Sequence, residues 1–435
     1  MKWPDLFRRV SQRRWLWLVL LLVIAAAVRV PFAVFATSHA AHTPPSARVL
    51  RWRTDIAYLA SELPRVRVHG LGSVSRSAWD SAAARLEAEA PQLTDGQVLV
   101  GMARMVAMLH DDETQVQFPP GPFYPLDAQW FGHGLYLLTV PASDRSLLGA
   151  QVLAVDGHPI AQVMAAIGSV IDYQDLETLD VTETGYLDDA PILYSLGITG
   201  SATSAEFTVR TTAGLQQTVL IGAVSSGFWV APNLLFSLVP GVAHIPLPLY
   251  LHDATAPYWM DVLAGQRAVY LKYNECLDTS GFQQLAARAI AVLKQHPDYR
   301  LIVDLRGNVG GDSAPFLSLV NALRANPAIN HRGRVFGLVN QFTYSAARDD
   351  AVLLGQQKAI MIGVPPADPI DEYGDWADFT LPGSGITIQY TRAIINSTGL
   401  PEGTPDIVIS PTLRQVLAGE DPVLAEALSY ARPGR

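Results

Sequence analysis

The sequence predicts a mixed α/β protein: an N-terminal helical region, a β-rich module, and an α/β core of alternating strands and helices. Three changes of pattern carry that prediction. Apolar residues recur at three- and four-residue spacing from Val49 to about Met108, the period of amphipathic helices. From Phe123 to Ala223 the pattern becomes short apolar or alternating runs between glycine and polar turns, the mark of strands. From Phe228 onward apolar strand runs alternate with helical ones, which predicts a mostly parallel sheet covered by helices.

The first element precedes the folded body. Lys2, Arg8, Arg9, Arg13 and Arg14 stand against Asp5, and "WLWLVLLLVIAAAV" follows from Trp15 to Val28. A basic flank, an apolar run and small residues before Ala40 fit an export signal, or a membrane anchor if the run continues to Ala36. Either outcome puts the bulk of the protein outside the cytoplasm, on the periplasmic or extracellular side. The expected organisation is therefore a signal or anchor over 1–40, a proline-containing linker over 41–48, and a helical region over 49–120. A β-rich module over 121–225 and the α/β core over 226–435 complete it. With 49% hydrophobic and 16% charged residues, the 435-residue chain can bury a substantial core. The formal charge is −9 and the first fourteen residues carry +4, so the remainder carries −13. Nucleic acid is excluded as the main partner, because phosphate binding needs a basic face. Cys276 is the single cysteine, which excludes an intramolecular disulfide and a multi-cysteine zinc site; "YLKYNEC" reads as a buried strand end.

Two strand–turn–helix corners hold the chemistry. In "RLIVDLRGNVGGDSAPFL", Arg300 to Leu317, three glycines follow a strand, where backbone N–H groups can approach a ligand closely. A phosphate loop is excluded: no Lys-Ser/Thr follows, and the spacing is not that of a dinucleotide fingerprint. Asp304 and Arg306 read as an ion pair fixing the turn. In "VFGLVNQFTYSAARDD", Val335 to Asp350, Ser345 opens a helix after a strand and a turn. A hydroxyl there meets the positive end of the helix dipole, and the amide of Ala346 can help hold an oxyanion. Taken by itself, Ser345 reads more readily as a plain helix N-cap, the commonest job of a serine before a helix.

The pair "DLRGNVGGD" and "NQFTYSAA" resembles the C-terminal-processing (tail-specific) serine peptidases and their tricorn-like relatives. "LHDDETQV", from Leu109, looks like the end of that family's N-terminal helical region, and "LLGAQVLAVDGHPIAQV" is similar to its PDZ-like module. "YGDWADFTLPGSGITIQYT" and "PDIVISPTLRQVLAGEDPVLAEAL" resemble its C-terminal strands and closing helix, so the likeness spans roughly residues 50 to 430. It implies the fold of the tail-specific peptidases, with Ser345 as nucleophile and Gly310 or Gly311, with Ala346, as oxyanion hole.

The sequence departs from that family at the proton acceptor. One branch uses a lysine after the nucleophile helix, yet the body holds only Lys272, Lys294 and Lys358, none at that place. The other uses a histidine in a D-x-H-T stretch; here Asp111, Asp112, Glu113 and Thr114 align, so Glu113 stands where the histidine would. A carboxylate raised by burial can serve as a base. His110 is the other candidate. The three acids also read as a solvated helix end, and no ligand spacing supports a metal there. No cofactor is implied. The expected activity is hydrolysis of peptide bonds in a polypeptide substrate. The alternatives are a non-catalytic peptide- or ligand-binding protein on the same fold, and a hydrolase of non-peptide esters or amides.

Overall fold

The computed structural model describes residues 45–140, 142–225, 247–253, 255–277, 280–367, 371–396 and 404–430. The expected signal or anchor over 1–40 lies outside them. Among the described residues, no helix is long and apolar enough to cross a membrane.

Helix α1, Pro45–Val66, begins inside the stretch read as a linker. Proline suits a first helical turn, where its missing N–H would have no partner. Residues 45–51 belong to a separate unit; Trp52–Arg435 form the unit considered from here. Ser75 caps α2, Arg76–Glu89. A reciprocal box of Thr94 and Gln97 opens α3, Asp95–Val106. Trp52, Ile56, Leu59 and Leu63 of α1 share one core with Trp79 of α2 and Val98 and Met102 of α3. The chain then turns through residues 110–114 into the short strand β1, Gln115–Val116.

The β-rich segment builds β2, Asp127–Phe131, β3, Gly134–Thr139, β4, Gln151–Val155, and the short β5, His158–Pro159. The Asp156-Gly157 turn between β4 and β5 takes positive φ at both residues, 43° and 80°. Three helices follow: α4, Ile160–Gly168, α5, Leu176–Thr184, and α6, Ala190–Ser195. Of these, α5 and α6 interrupt a stretch that the sequence reading gave to strands. Both are short, and each is started by an aspartate side chain, Asp175 or Asp189, capping the third residue beyond it. Strands β6, Ser204–Arg210, and β7, Gln216–Gly222, complete an antiparallel sheet in the order β2-β3-β4-β6-β7.

The C-terminal part carries β8, Tyr258–Leu263, β9, Ala268–Tyr273, α7, Ser280–Gln295, and β10, Arg300–Asp304. Next come α8, Leu317–Arg324, β11, Val335–Val339, α9, Ala346–Gln356, and β12, Ile360–Gly363. A long ribbon of β13, Asp371–Thr380, and β14, Thr387–Asn396, precedes β15, Ile407–Val408, and two closing helices, α10, Leu413–Leu417, and α11, Pro422–Ser429. The main sheet runs β8-β9-β10-β11-β12-β15. It is parallel from β9 to β15, with β8 an antiparallel edge. Alternate residues of β9 and β10 feed two cores: Val269, Leu271, Leu301 and Val303 face the side of α7, α8 and α9, while Tyr270 and Ile302 face α11. Burial on both faces explains why these strands read as continuous apolar runs. The ribbon returns to the front of the chain: β14 pairs with β1, Gln115 opposite Gln389.

Candidate active site

Both corners lie at the carboxyl ends of adjacent parallel strands, where ligands of such sheets bind. Three cross-links hold them together. The Gly307 amide donates to Asn340 Oδ1 at 3.0 Å, the Tyr344 amide to Asn308 O at 2.9 Å, and Thr343 Oγ1 to Leu305 O at 3.1 Å. The corners touch at their tips. A methyl group built on Gly310 would stand 2.8 Å from Ser345 Cβ and 3.2 Å from the Ala346 amide nitrogen, so only glycine permits this approach. Ser345 is half-buried and holds φ 52°, ψ −131°, outside the regions that side-chain-bearing residues favour. Its side chain does not cap α9. The plain N-cap reading of Ser345 therefore fails.

The amides around Ser345 are not equivalent. Gly310 N–H donates to Asn308 Oδ1 at 3.0 Å, so it is already occupied within the chain. Among the described residues, the amides of Gly311 and Ala346 have no such acceptor. Gly311 lies beside Cys276 in a bridge: Cys276 N donates to Gly310 O at 3.1 Å, and Asp312 N to Cys276 O at 2.7 Å. Cys276 lies just beyond β9 and is buried.

Beneath the glycine corner sits a buried charge network. Arg306 pairs with Asp304 and reaches Asp421 at 2.8 Å, its guanidinium over the Tyr250 ring at 4.1 Å. Tyr270 Oη donates to Asp304 Oδ2 at 2.7 Å. Burial would raise the Asp304 carboxyl, but Arg306 and Lys272 outweigh it and hold it below its ordinary value. Lys272 Nζ donates to the carbonyls of Arg306 at 2.6 Å and Asp304 at 3.3 Å. Burial lowers this ammonium to about 8. Lys294 and Lys358 are exposed.

The acidic loop is held residue by residue by the segment after α4. Asp172 Oδ1 accepts from the Asp111 amide at 3.1 Å, Tyr173 O meets His110 Nδ1 at 3.1 Å, and Gln174 Nε2 donates to Asp112 Oδ1 at 2.9 Å. His110 and Asp112 both take positive φ, 54° and 56°. Asp111 is buried in an ion pair with Arg67 and accepts from Thr114 and Thr391. Burial pushes Asp111 up, but Arg67 and Thr114 more than compensate, so it is lowered overall. Asp172 is raised, first by burial and then by the Asp111 charge. Asp111 is thus a structural anion, not a solvated helix end. The Glu113 amide donates to Asp111, and Gln389 Nε2 lies 3.0 Å from the Glu113 carbonyl and 3.5 Å from its carboxylate. Asp112 is the acid whose described contacts reach the serine corner, accepting from Tyr344 Oη at 3.2 Å. Sequence reasoning gave Asp112 no role, nor Asn308, Asn340 and the 172–174 segment. "GNVGG" and "NQFT" do carry turn-forming asparagines; nothing in "DYQ" marks that segment.

A cavity of about 550 Å³ opens beside the corners. Trp130 and Phe131 wall it from β2, Val309 and Phe342 from the corners, and Leu413 and Val416 from α10, with Lys272 and Arg306 at its polar end. No group of His, Cys, Asp and Glu suited to a metal occurs among the described residues.

No known family profile matches the sequence, and no curated protein matches it by sequence. Solved structures do resemble it. Mature CPAF complexed with lactacystin shares 14% identity, covers 88% of this chain and 99% of its own, and superposes with a TM-score of 0.60. A second structure of mature CPAF gives 15%, 87%, 96% and 0.57. A photosystem II D1 C-terminal processing protease gives 16%, 85% and 98%, with a TM-score of 0.38. At these identities the CPAF likeness is one of fold.

Proposed function

We propose that this chain is an exported serine-type peptidase of the tail-specific kind, hydrolysing peptide bonds through Ser345. One observation carries the reading: Gly310 comes against Ser345 and Ala346 in a contact that a methyl group would block, with Ser345 in a strained backbone state. A serine that opens a helix feels the helix's positive end, and backbone strain of this kind clusters at functional sites. In the proposed reaction Ser345 Oγ attacks the peptide carbonyl, and the amides of Ala346 and Gly311 receive the oxyanion. The 110–113 loop supplies the proton acceptor, Glu113 or His110, while Asp112 aligns the loop through Tyr344. The intermediate collapses with cleavage of the C–N bond, the proton taken from Ser345 passing to the departing amine. Water then attacks the acyl-serine, releasing the carboxylic acid and restoring the hydroxyl. The cavity beside the corners takes an apolar side chain of the bound polypeptide. The antiparallel module of β2 to β7 has the role of a PDZ-like unit, receiving an extended peptide by strand addition. Export rests on the basic and apolar pattern of residues 1–40, and cell fractionation tests it.

A second reading keeps the fold without catalysis, as a peptide-binding protein. The lysine and the histidine that the tail-specific peptidases use as proton acceptor are absent from their places in the sequence, which favours it. A fluorophosphonate probe separates the two. Labelling of the wild type that vanishes in Ser345→Ala supports the peptidase; absence of labelling between pH 5 and 10 supports the binding protein. Comparing peptide with simple ester substrates then tests hydrolysis of non-peptide esters.

A further inference from the structure

The proposed reaction leaves one buried polar group unused. Asp350 lies on α9, the helix that Ser345 opens, and is fully buried. Its Oδ2 is 3.5 Å from Cys276 Sγ, and its Oδ1 has no hydrogen-bond partner. The same sulfur lies 3.4 Å from Asn308 Nδ2, and Asn308 Oδ1 accepts the Gly310 amide. The main chain of Cys276 bridges residues 310–312 on both sides, and a methyl group on Gly311 would collide with the Cys276 carbonyl oxygen. A continuous path thus runs from the serine's helix through Asp350 and the Cys276 sulfur to the loop segment that carries the Gly311 amide.

We propose that Asp350 and Cys276 form a buried strut that fixes the 310–312 segment against Ser345, making both positioning residues for the hydrolysis. The inference rests on the peptidase reading above. The groups facing Asp350 are Cys276 and Tyr273 from the β9 side, Asp312 from the glycine corner and Asp349 on its own helix. None is a cation. Burial raises Asp350 to about 8, so the strut stands with a neutral carboxyl at lower pH and gains an uncompensated charge above that. An anion there also opposes a second negative charge developing at the oxyanion amides.

The test uses the full chain as wild type, Asp350→Ala, Asp350→Asn, Cys276→Ala and Cys276→Ser. Two readouts apply: the rate of fluorophosphonate labelling from pH 6 to 10, and hydrogen exchange of the amides at 309–312. Both alanine variants are expected to label about 10- to 100-fold more slowly, the order of loss for a misplaced catalytic geometry, and to exchange faster at 309–312. Asp350→Asn is expected to recover most of the rate and to lack the decline that sets in above about pH 8 in the wild type. Folded alanine variants that label and exchange at wild-type rates overturn the strut. A wild type that never labels overturns the peptidase reading; the exchange comparison then decides the strut alone, with the asparagine and serine variants standing in for any alanine variant that fails to fold.

Discussion

At the scale of single residues, three side chains decide how the molecule responds to acidity and truncation. Asp350 is raised from 3.8 to about 8 by burial. Between those values the folded chain keeps a proton that the unfolded chain releases, so the stability from this group is full below about pH 4 and gone by about pH 8. Urea midpoints at pH 5 and pH 8 should therefore differ less in Asp350→Asn than in the wild type. Lys272 has the opposite sign: burial lowers it to about 8. The unfolded chain then holds more protons above that pH, and its contribution rises from there toward the ordinary lysine value. Arg306 is joined to Asp304 and Asp421 with almost no water contact. Its replacement by alanine leaves Asp421 without its cation and Asp304 with Lys272 alone, and should cost about 3–5 kcal/mol, read from chemical denaturation.

At the scale of elements, the two corners behave as one unit. Gly310 holds φ 103° against Ser345. Gly310→Ala is therefore expected to abolish fluorophosphonate labelling and to lower stability by about 1–3 kcal/mol, measured together by gel and thermal melt. The strands feeding these corners were legible in the sequence because burial on both faces leaves continuous apolar runs such as "LIVDL" and "VFGLV". The glycines were legible because backbone freedom has a compositional signature. The helices α5 and α6 were not, since an aspartate cap rather than a repeating apolar face defines each. The grip of residues 172–174 on 110–112 was equally silent. It is made of long-range contacts, 61 to 63 residues apart, and single-sequence periodicity does not register such pairs. Gln174→Ala releases Asp112 from this grip and should slow labelling while leaving the melting temperature nearly unchanged.

At the scale of the whole molecule, the β-rich module and the α/β core meet around the cavity. Its walls come from β2, from both corners and from α10. Thr178 Oγ1 of α5 also donates to Ala367 O at 2.6 Å, tying the module to the loop after β12. Val309 is 53% exposed and lines the cavity. Val309→Trp should block cleavage of peptides with bulky apolar side chains yet leave reaction with a small fluorophosphonate intact, a contrast that competition assays read directly. One consequence follows from the bond between Tyr344 and Asp112, whose residues stand 232 positions apart. β1 waits still longer for β14, since Gln115 pairs with Gln389. The acid loop and the serine corner can therefore meet only once the chain has been made as far as Tyr344. Closing so long a span is slow, because chain entropy is lost before the contacts are gained. The site is accordingly assembled late: a growing chain that has passed the acid loop but not the serine corner holds only one partner of this contact.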